Sequence, residues 1–213
     1  VDVVETSSEK ELKRLAYQLN SNHGLQLSGD EKRKYACEMI GEMSVKELAL
    51  TLSVSESSVK DWTVTQRKAM EEERNRKIVE LYLRAWNTQE AIAEVMGVDR
   101  TVVTRIVQKD SSGDLHNDFK PPIYNIWNLQ KQDNATDSHF GSFPLFFMKS
   151  LLHYHTQPLD IVFDPFAGGG TTVDACKELF RRYYCTDRLV KPGREKDILQ
   201  HDITAGFPDG MPK

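Results

Sequence analysis

The segment DPFAGGGTT at 164–172 constrains this chain more than any other stretch of its sequence. It follows the short apolar run LDIVFD (159–164) and precedes TVDACKELFRR (172–182), whose apolar spacing predicts an amphipathic helix. A second apolar run, YYCTD (183–187), comes next. Strand, glycine turn, helix and strand in this order predict a parallel β-α-β unit, with helices on the faces of the sheet.

The glycines of this segment lie where open α/β sheets bind ligands, at the carboxyl end of a strand. They let a ligand approach the backbone, and the helix that follows offers unpaired N–H donors. Asp187 ends the next strand, where a carboxylate can accept from both hydroxyls of a ribose. The segment lacks the lysine of a phosphate-binding loop, and Val173 replaces the small residue of a dinucleotide fingerprint. S-adenosylmethionine, an adenosine with a positive centre and no phosphate, fits this pattern; a turn that only joins strand to helix is the alternative.

The segment resembles the first cofactor motif of the DNA methyltransferases that modify exocyclic amines of adenine or cytosine. The resemblance covers about residues 121–213 and implies a Rossmann-like, S-adenosylmethionine-dependent domain. In that family this segment closes over the methionine part of the cofactor, and the acid after the second strand binds the ribose. QHDI (200–203) resembles the segment whose acid meets the adenine amine, and HFGSFP (139–144) resembles the one that starts a helix beside the cofactor. The matching residues are Phe143, Pro144, Asp164, Phe166, Ala167, Gly168, Gly170, Thr171, Thr172, Asp187 and Asp202.

The catalytic motif of this family is missing from the sequence. The family uses Asp, Asn or Ser, then Pro-Pro and an aromatic residue; the polar groups hold the amine and the aromatic ring stacks on the flipped base. The only Pro-Pro pair lies in KPPIY (120–124), where a lysine comes first and the tyrosine is one residue late. We therefore assign no catalytic residue and expect the motif beyond Lys213 of a longer chain. The α/β domain would then be incomplete at its C-terminus, and this fragment alone inactive.

The N-terminal half carries an internal repeat, in which VKELALTLSVSESSVKDW (45–62) matches QEAIAEVMGVDRTVVTRI (89–106). Each copy has a small alanine, then a serine or glycine four residues later, then spaced aliphatic residues. This pattern is typical of the helix-turn-helix, in which two helices cross closely at a tight turn. The sequence thus predicts an α-helical half with two helix-turn-helix repeats, at 30–66 and 74–109.

Polar side chains fill the start of both second helices, where such motifs contact the major groove of DNA. The candidate DNA-binding residues are Ser55, Ser57, Ser58 and Lys60 in the first copy, and Arg100, Thr101, Thr104 and Arg105 in the second. LNSNHGLQLSGDEK (19–32) followed by this pattern is similar to the DNA-binding region of ParB-like partition proteins. That resemblance implies double-stranded DNA as partner and a ParB-type domain before Val1. Two helical hairpins that pack together without DNA are the alternative.

The composition limits the possible functions. Because the formal net charge is −4, any DNA contact must come from local basic stretches. No apolar run approaches the ~18 residues of a membrane span, and there is no apolar leader at the N-terminus. The three scattered cysteines are typical of reduced cytosolic thiols. His153 and His155 point apart on a helix, so we predict no metal site. We expect a cytoplasmic protein of a bacterium or phage, without membrane contact.

These observations predict a helical DNA-binding region at 1–109, a linker at 110–122 and a partial methyltransferase domain at 123–213. The predicted function is methyl transfer from S-adenosylmethionine to an exocyclic amine of adenine or cytosine in DNA. One alternative is a ParB-like DNA-binding, partition or regulatory protein without catalysis. Another is a methyltransferase acting on RNA or a small molecule, with the helices serving only as a scaffold.

Overall fold

The computed structural model describes residues 12, 15–17, 27–111, 119–121 and 143–211. The chain divides into two compact units, Val1–Arg74 and Asn75–Lys213. This boundary falls earlier than the predicted linker at 110–122, most of which lies outside the described residues. The division into domains drawn from the sequence therefore stays a prediction. No helix in the described ranges is long and apolar enough to cross a membrane.

The first unit contains α1 (Gly29–Met39), α2 (Val45–Leu52), α3 (Glu56–Trp62) and the first part of α4 (Val64–Leu83). Residues 12 and 15–17 also have helical backbone. Ser28 and Ser44 begin α1 and α2, and each hydroxyl accepts from the backbone of the glutamate three residues later. The glutamate carboxylate accepts in return from the serine N–H, so both helices start with a complete capping box.

The repeat positions of the first copy form the core of this unit. The buried residues are Tyr35, Ala36, Met39, Met43, Leu48, Ala49, Leu52 and Val59. Fully burying an aliphatic side chain of this size contributes about 1.5–3 kcal/mol. Ser53 ends α2 with a left-handed φ of 51°, and its N–H donates to the carbonyls of Ala49 and Leu50. The tight turn expected at Ser53 is therefore present.

The second copy forms α5 (Gln89–Met96) and α6 (Arg100–Ser111), in the second unit. Thr88 caps α5 through the N–H of Ala91, and Gly97 ends it with a φ of 62°. The buried residues of this part are Ile78, Ile92, Ala93, Val103 and Val107. Because α6 runs to Ser111, the first two residues of the predicted linker are helical instead.

The rest of the second unit is α/β. It contains α7 (Leu145–His155), β1 (Ile161–Asp164), α8 (Thr171–Glu178), β2 (Arg182–Asp187), β3 (Leu199–Gln200) and a 3-10 turn at Ile203–Ala205. The three strands are parallel and lie in the order β1-β2-β3. This confirms the predicted parallel β-α-β unit, and the arrangement fits an α/β methyltransferase-like domain.

The core of the α/β part lies between the sheet and its helices. The buried residues include Leu152, Val173, Cys176, Leu179, Phe180, Tyr183, Cys185 and Ile198. The helix expected at 172–182 was predicted too long, because α8 ends at Glu178 and Phe180 takes a left-handed φ of 57°. The strand expected at 159–164 begins only at Ile161, since Leu159 has a φ of 70°.

Candidate functional site

Asp164 holds together the two ends of the glycine segment. Its Oδ1 accepts from the N–H of Phe166 at 3.0 Å, and its Oδ2 accepts from the hydroxyl of Thr172 at 2.6 Å. Thr172 is buried in the first turn of α8. Because one carboxylate bonds to residues at both ends of the segment, Asp164 closes the loop between β1 and α8.

The glycines of this loop adopt conformations that other residues rarely take. Gly168 has a φ of 51° and Gly170 a φ of 88°. The N–H of Gly170 donates to the carbonyl of Ala167 at 2.7 Å, which closes a tight turn. Gly170 begins α8 without a side-chain cap, so the first N–H groups of that helix face the loop region unpaired by a capping side chain. The glycines therefore allow the tight turn and leave the first backbone N–H groups of α8 without a side-chain cap.

Asp187 joins the end of β2 to the same loop. Its Oδ2 accepts from the N–H of Gly168 at 2.8 Å, and its Oδ1 accepts from the N–H of Leu189 at 3.0 Å. The N–H of Ala167 also donates to the carbonyl of Thr186 at 3.0 Å. Asp187 is half-buried, and each of its oxygens keeps a lone pair for a further donor.

Other candidate residues lie at the surface. Phe166 is 73% exposed, and Phe143 is 59% exposed and stacks on Phe147 with ring centroids 5.5 Å apart. Pro144 is the N-cap residue of α7. Asp202 caps the 3-10 turn by accepting from the N–H and hydroxyl of Thr204, and these bonds lower the pKa of Asp202.

The structure thus brings part of the candidate set together. Asp164 is hydrogen-bonded to Thr172, and Asp187 to Gly168, so both carboxylates bond to the same glycine loop. The hydrogen bonds of Asp202 stay within its own turn in the part of the chain that the structure describes. Contacts of any of these residues with a ligand remain predictions.

Two basic residues lie against the glycine loop, and sequence reasoning missed both. A Cβ placed on Gly169 would lie 3.6 Å from Nζ of Lys191, and one on Gly170 would lie 3.1 Å from the guanidinium of Arg194. Arg194 is paired with Asp174 through two bonds of 2.8 and 2.7 Å. The lack of a lysine inside the segment therefore does not exclude an anionic group near the loop. Nothing local to the segment signals this, because both residues come from the connection between β2 and β3.

Asp197 is a buried carboxylate that the sequence did not suggest as a functional residue. It is 8% exposed and accepts from Nζ of Lys177 and the hydroxyl of Tyr183, both at 2.7 Å, and from Nε of Arg84 at 3.3 Å. Burial by itself raises the pKa of Asp197, but these hydrogen bonds and the charges of Lys177 and Arg84 outweigh it and lower the pKa. Burial and the neighbouring carboxylate raise the pKa of Tyr183.

In α3, several of the candidate DNA-binding residues make contacts within the helix. Ser55 is the N-cap: its hydroxyl accepts from the N–H of Ser58 at 3.0 Å and lies 2.8 Å from the Ser58 hydroxyl. Lys60 forms a 3.6 Å ion pair with Glu56. Ser57 is exposed. The two serine hydroxyls therefore already serve the start of the helix.

In α6, the candidate residues present a more basic surface. Arg105 is exposed, and Arg100 is exposed and forms a 3.0 Å ion pair with Glu90. Thr101 donates its N–H to Asp99 at 2.8 Å, and Thr104 donates its hydroxyl to Gln89 on α5 at 2.9 Å.

Among the described residues, no group of His, Cys, Asp and Glu side chains has the arrangement of a metal site.

Comparisons with known proteins agree with the DNA methyltransferase resemblance of the glycine segment. A family model described as DNA methylase matches residues 21–189. This range includes both helical pairs, and so begins far earlier than the 121–213 range on which the resemblance was based. The Type II methyltransferase M.XycI of Xanthomonas campestris pv. cyanopsidis is 36% identical over 58 residues, which are 27% of this chain and 19% of that protein. The chain therefore covers about a fifth of that relative's length. No solved structure matches this chain.

Proposed function

This chain belongs to the DNA methylase family, and from that premise we propose that it supplies the cofactor-binding part of a DNA methyltransferase. The donor is S-adenosylmethionine, and the acceptor is an exocyclic amine of adenine or cytosine. The observation that carries the proposal is the bond between Asp187 and the N–H of Gly168, which unites the glycine loop after β1 with the acid after β2. That is the edge at which parallel α/β sheets bind nucleotide-like ligands.

The residues around the loop fit this cofactor. An added Cβ on Gly168 would meet only the carbonyl of Phe166, at 3.9 Å, so a ligand can approach the backbone there. The free lone pairs of Asp187 suit the two ribose hydroxyls. Lys191 adds a cation beside Gly169, which suits the carboxylate of the methionine part. When bound, the cofactor supplies an activated methyl group.

Methyl transfer to an amine also needs an acceptor for the amine hydrogens and an aromatic ring to stack on the base. The sequence contains no Asp, Asn or Ser followed by Pro-Pro and an aromatic residue. We therefore propose that this chain contributes cofactor binding and DNA contact to the reaction, and no catalytic residue.

The two helical pairs, α2–α3 and α5–α6, are the proposed DNA-binding elements. Both first helices end in a left-handed residue, Ser53 or Gly97, whose N–H bonds back to the helix. Such a tight turn between two short helices supports the proposal of a helix-turn-helix. The exposed side chains that start α3 and α6 are the proposed contacts with double-stranded DNA. A bacterial cytoplasm, with a bacterial or phage gene, is the proposed setting.

A DNA-binding protein without catalysis, of the ParB-like kind, is the second candidate. The observation in its favour is the absence of the Pro-Pro-aromatic motif combined with two helical pairs of the same turn geometry. It differs from the first candidate in that its α/β part keeps cofactor binding without taking part in methyl transfer.

Calorimetric titration of the full chain tests the proposal. We expect S-adenosylmethionine to bind with one site per chain. ADP is expected to bind far more weakly, because Lys191 and the Asp174-paired Arg194 lie beside the loop without the Gly-Lys-Ser/Thr sequence that binds a diphosphate. Fluorescence anisotropy with a mixed-sequence duplex tests DNA binding in the same preparation. Duplex binding without cofactor binding refutes the proposed cofactor site, and tighter binding of ADP than of S-adenosylmethionine refutes the assignment of the loop.

A further inference from the structure

The segment that leads from α4 into α5 lies against β2 in the second unit. The N–H of Ala85 donates to the carbonyl of Tyr183 at 2.8 Å, and Arg84 pairs with Tyr183 in a parallel β-bridge. Farther along the same strand, Thr186 and Asp187 pair with β3. A backbone hydrogen bond of this kind fixes one point of the segment, so the orientation of the α5–α6 pair also depends on the side chains around this contact.

Arg182, the first residue of β2, supplies the strongest of these contacts. Its guanidinium donates to the carbonyls of Tyr82 and Ala85, both at 3.1 Å, and of Asn87 at 3.2 Å. It also lies 4.5 Å from the centroid of the Tyr82 ring. Only a guanidinium offers enough donors in one rigid plane for three carbonyls. Since these carbonyls lie in the last turn of α4 and the turn before α5, one side chain orients both helix ends.

Asp197 connects the same segment to the glycine loop. Its carboxylate accepts from Arg84 in that segment, from Tyr183 on β2 and from Lys177 on α8, the helix that begins at the loop. Because Asp197 is almost fully buried, water screens these charged hydrogen bonds little. One carboxylate thus ties together the approach to α5, the central strand and the helix of the proposed cofactor site.

Apolar packing continues the connection. Leu159, just before β1, packs both against the core of α5 and α6 and against the core of the sheet. Within the helical pair, the hydroxyl of Thr104 on α6 donates to the side chain of Gln89 on α5 at 2.9 Å. The helical pair and the sheet of the second unit are therefore held by ionic, polar and apolar contacts together.

We propose that Arg182 and Asp197 are positioning residues, which hold the α5–α6 pair at one place relative to the glycine loop. Duplex DNA contacted by α6 would then meet the cofactor site at a fixed spacing, and that spacing would select which base is presented. The inference rests on the proposed function, since it takes α6 as a DNA-contacting helix. Arg182 lies at the end of β2 opposite Asp187, so it acts through the helices and not on the cofactor.

Distances between two spin labels, measured by double electron–electron resonance on the full chain, test the proposal. Spin labels on Glu94→Cys in α5 and Glu195→Cys beside Arg194 report the distance from the helical pair to the loop region. Cys37 is replaced by serine, and the buried Cys176 and Cys185 stay unlabelled. We expect one narrow distance distribution, lost in Arg182→Ala and in Asp197→Asn. A broad or multiple distribution in the starting protein overturns the proposal, whether or not the variants fold.

Two further variants separate a positioning role from a general loss of structure. Arg188→Ala removes an exposed arginine that follows β2 and is expected to keep the narrow distribution. Arg182→Lys keeps a charge over the Tyr82 ring, but its amine cannot donate to all three carbonyls in the same geometry. This variant is therefore expected to lose the narrow distance distribution. A narrow distribution in Arg182→Lys, or in folded Arg182→Ala, overturns the role given to the guanidinium.

Binding measured on the same samples separates this inference from the proposed function. Affinities of Arg182→Ala for S-adenosylmethionine and for a mixed-sequence duplex are expected to stay near those of the starting protein, because the variant changes spacing and not contacts. In the starting protein, binding of both ligands together with a broad distance distribution overturns the inference alone. A narrow distribution without binding of either ligand refutes the proposed function and with it any role in presenting DNA.

Discussion

The carboxylate of Asp187 accepts the N–H of Gly168 at 2.8 Å, so the acid that ends β2 holds the turn that follows β1. The same carboxylate accepts from the N–H of Leu189, at the start of the connection that carries Lys191 and Arg194. Asp187 therefore organises the loop. Its proposed role in cofactor binding has two parts, the shape of the loop and the lone pairs that we propose face a ribose.

Asp187→Ala is expected to weaken binding of S-adenosylmethionine by about 10–100-fold, because each charged hydrogen bond contributes about 1.5–3 kcal/mol. Isothermal titration calorimetry measures the loss. Asp209→Asn is the matched control, since Asp209 is exposed and its hydrogen bond with Tyr184 is accepted by its backbone carbonyl. Equal affinities for Asp187→Ala and the starting protein would rule out the role given to this carboxylate.

Thr172→Val is expected to destabilise the second unit by about 1–3 kcal/mol, because it leaves Oδ2 of Asp164 without its buried donor. Thr172→Ser keeps the hydroxyl and is the control, with stability close to that of the starting protein. Urea unfolding followed by circular dichroism gives both values. Serine loses only the methyl and valine only the hydroxyl, so a larger loss for serine than for valine would contradict the importance given to the hydrogen bond.

The neighbouring glycines allow a matched pair of substitutions. Gly170→Ala places a Cβ at a φ of 88° and 3.1 Å from the Arg194 side chain, so we expect a loss of about 1–3 kcal/mol in stability. Gly169→Ala meets only Nζ of Lys191 at an ordinary 3.6 Å and is expected to fold normally. Thermal unfolding distinguishes the two. A larger loss for Gly169→Ala would contradict the loop conformation described above.

The Asp197 cluster predicts a pH dependence of stability. The pKa of Asp197 lies below its ordinary value of 3.8 in the folded chain, so its contribution is present above that pH and is lost as the pH falls through the folded pKa. At pH 7, Asp197→Asn is expected to cost about 2–4 kcal/mol, since it removes a buried acceptor of three donors. Urea unfolding should show this difference shrinking below about pH 4. A difference that stays constant down to pH 2 speaks against an ionised Asp197 in the fold.

DNA contact by α6 predicts a change in salt dependence. Arg105→Gln is expected to lower affinity for a mixed-sequence duplex and to reduce the slope of log K against log salt by about one. Arg33→Gln, on the exposed surface of α1, is the control with an unchanged slope. Fluorescence anisotropy at several salt concentrations measures both. An equal reduction in the two variants would mean that only the general charge of the chain attracts DNA.

Local patterns predicted the elements of this fold. The apolar spacing in 45–62 and 89–106 predicted two helical pairs, and the left-handed turns at Ser53 and Gly97 occur where the repeat aligns them. The short apolar runs around DPFAGGGTT predicted parallel strands, and these are present. Element ends were less accurate, because Phe180 and Leu159 take left-handed conformations that local apolar spacing does not signal.

The sequence by itself determined the helical pairs, the β-α-β order and the glycine loop, because each depends on spacing between residues close together in the chain. Only the tertiary structure decided what surrounds that loop. Lys191 and Arg194 come to it from the next connection, and Asp197 joins residues that are far apart in sequence. Such contacts form through chain crossovers and burial, so neither composition nor local periodicity signals them.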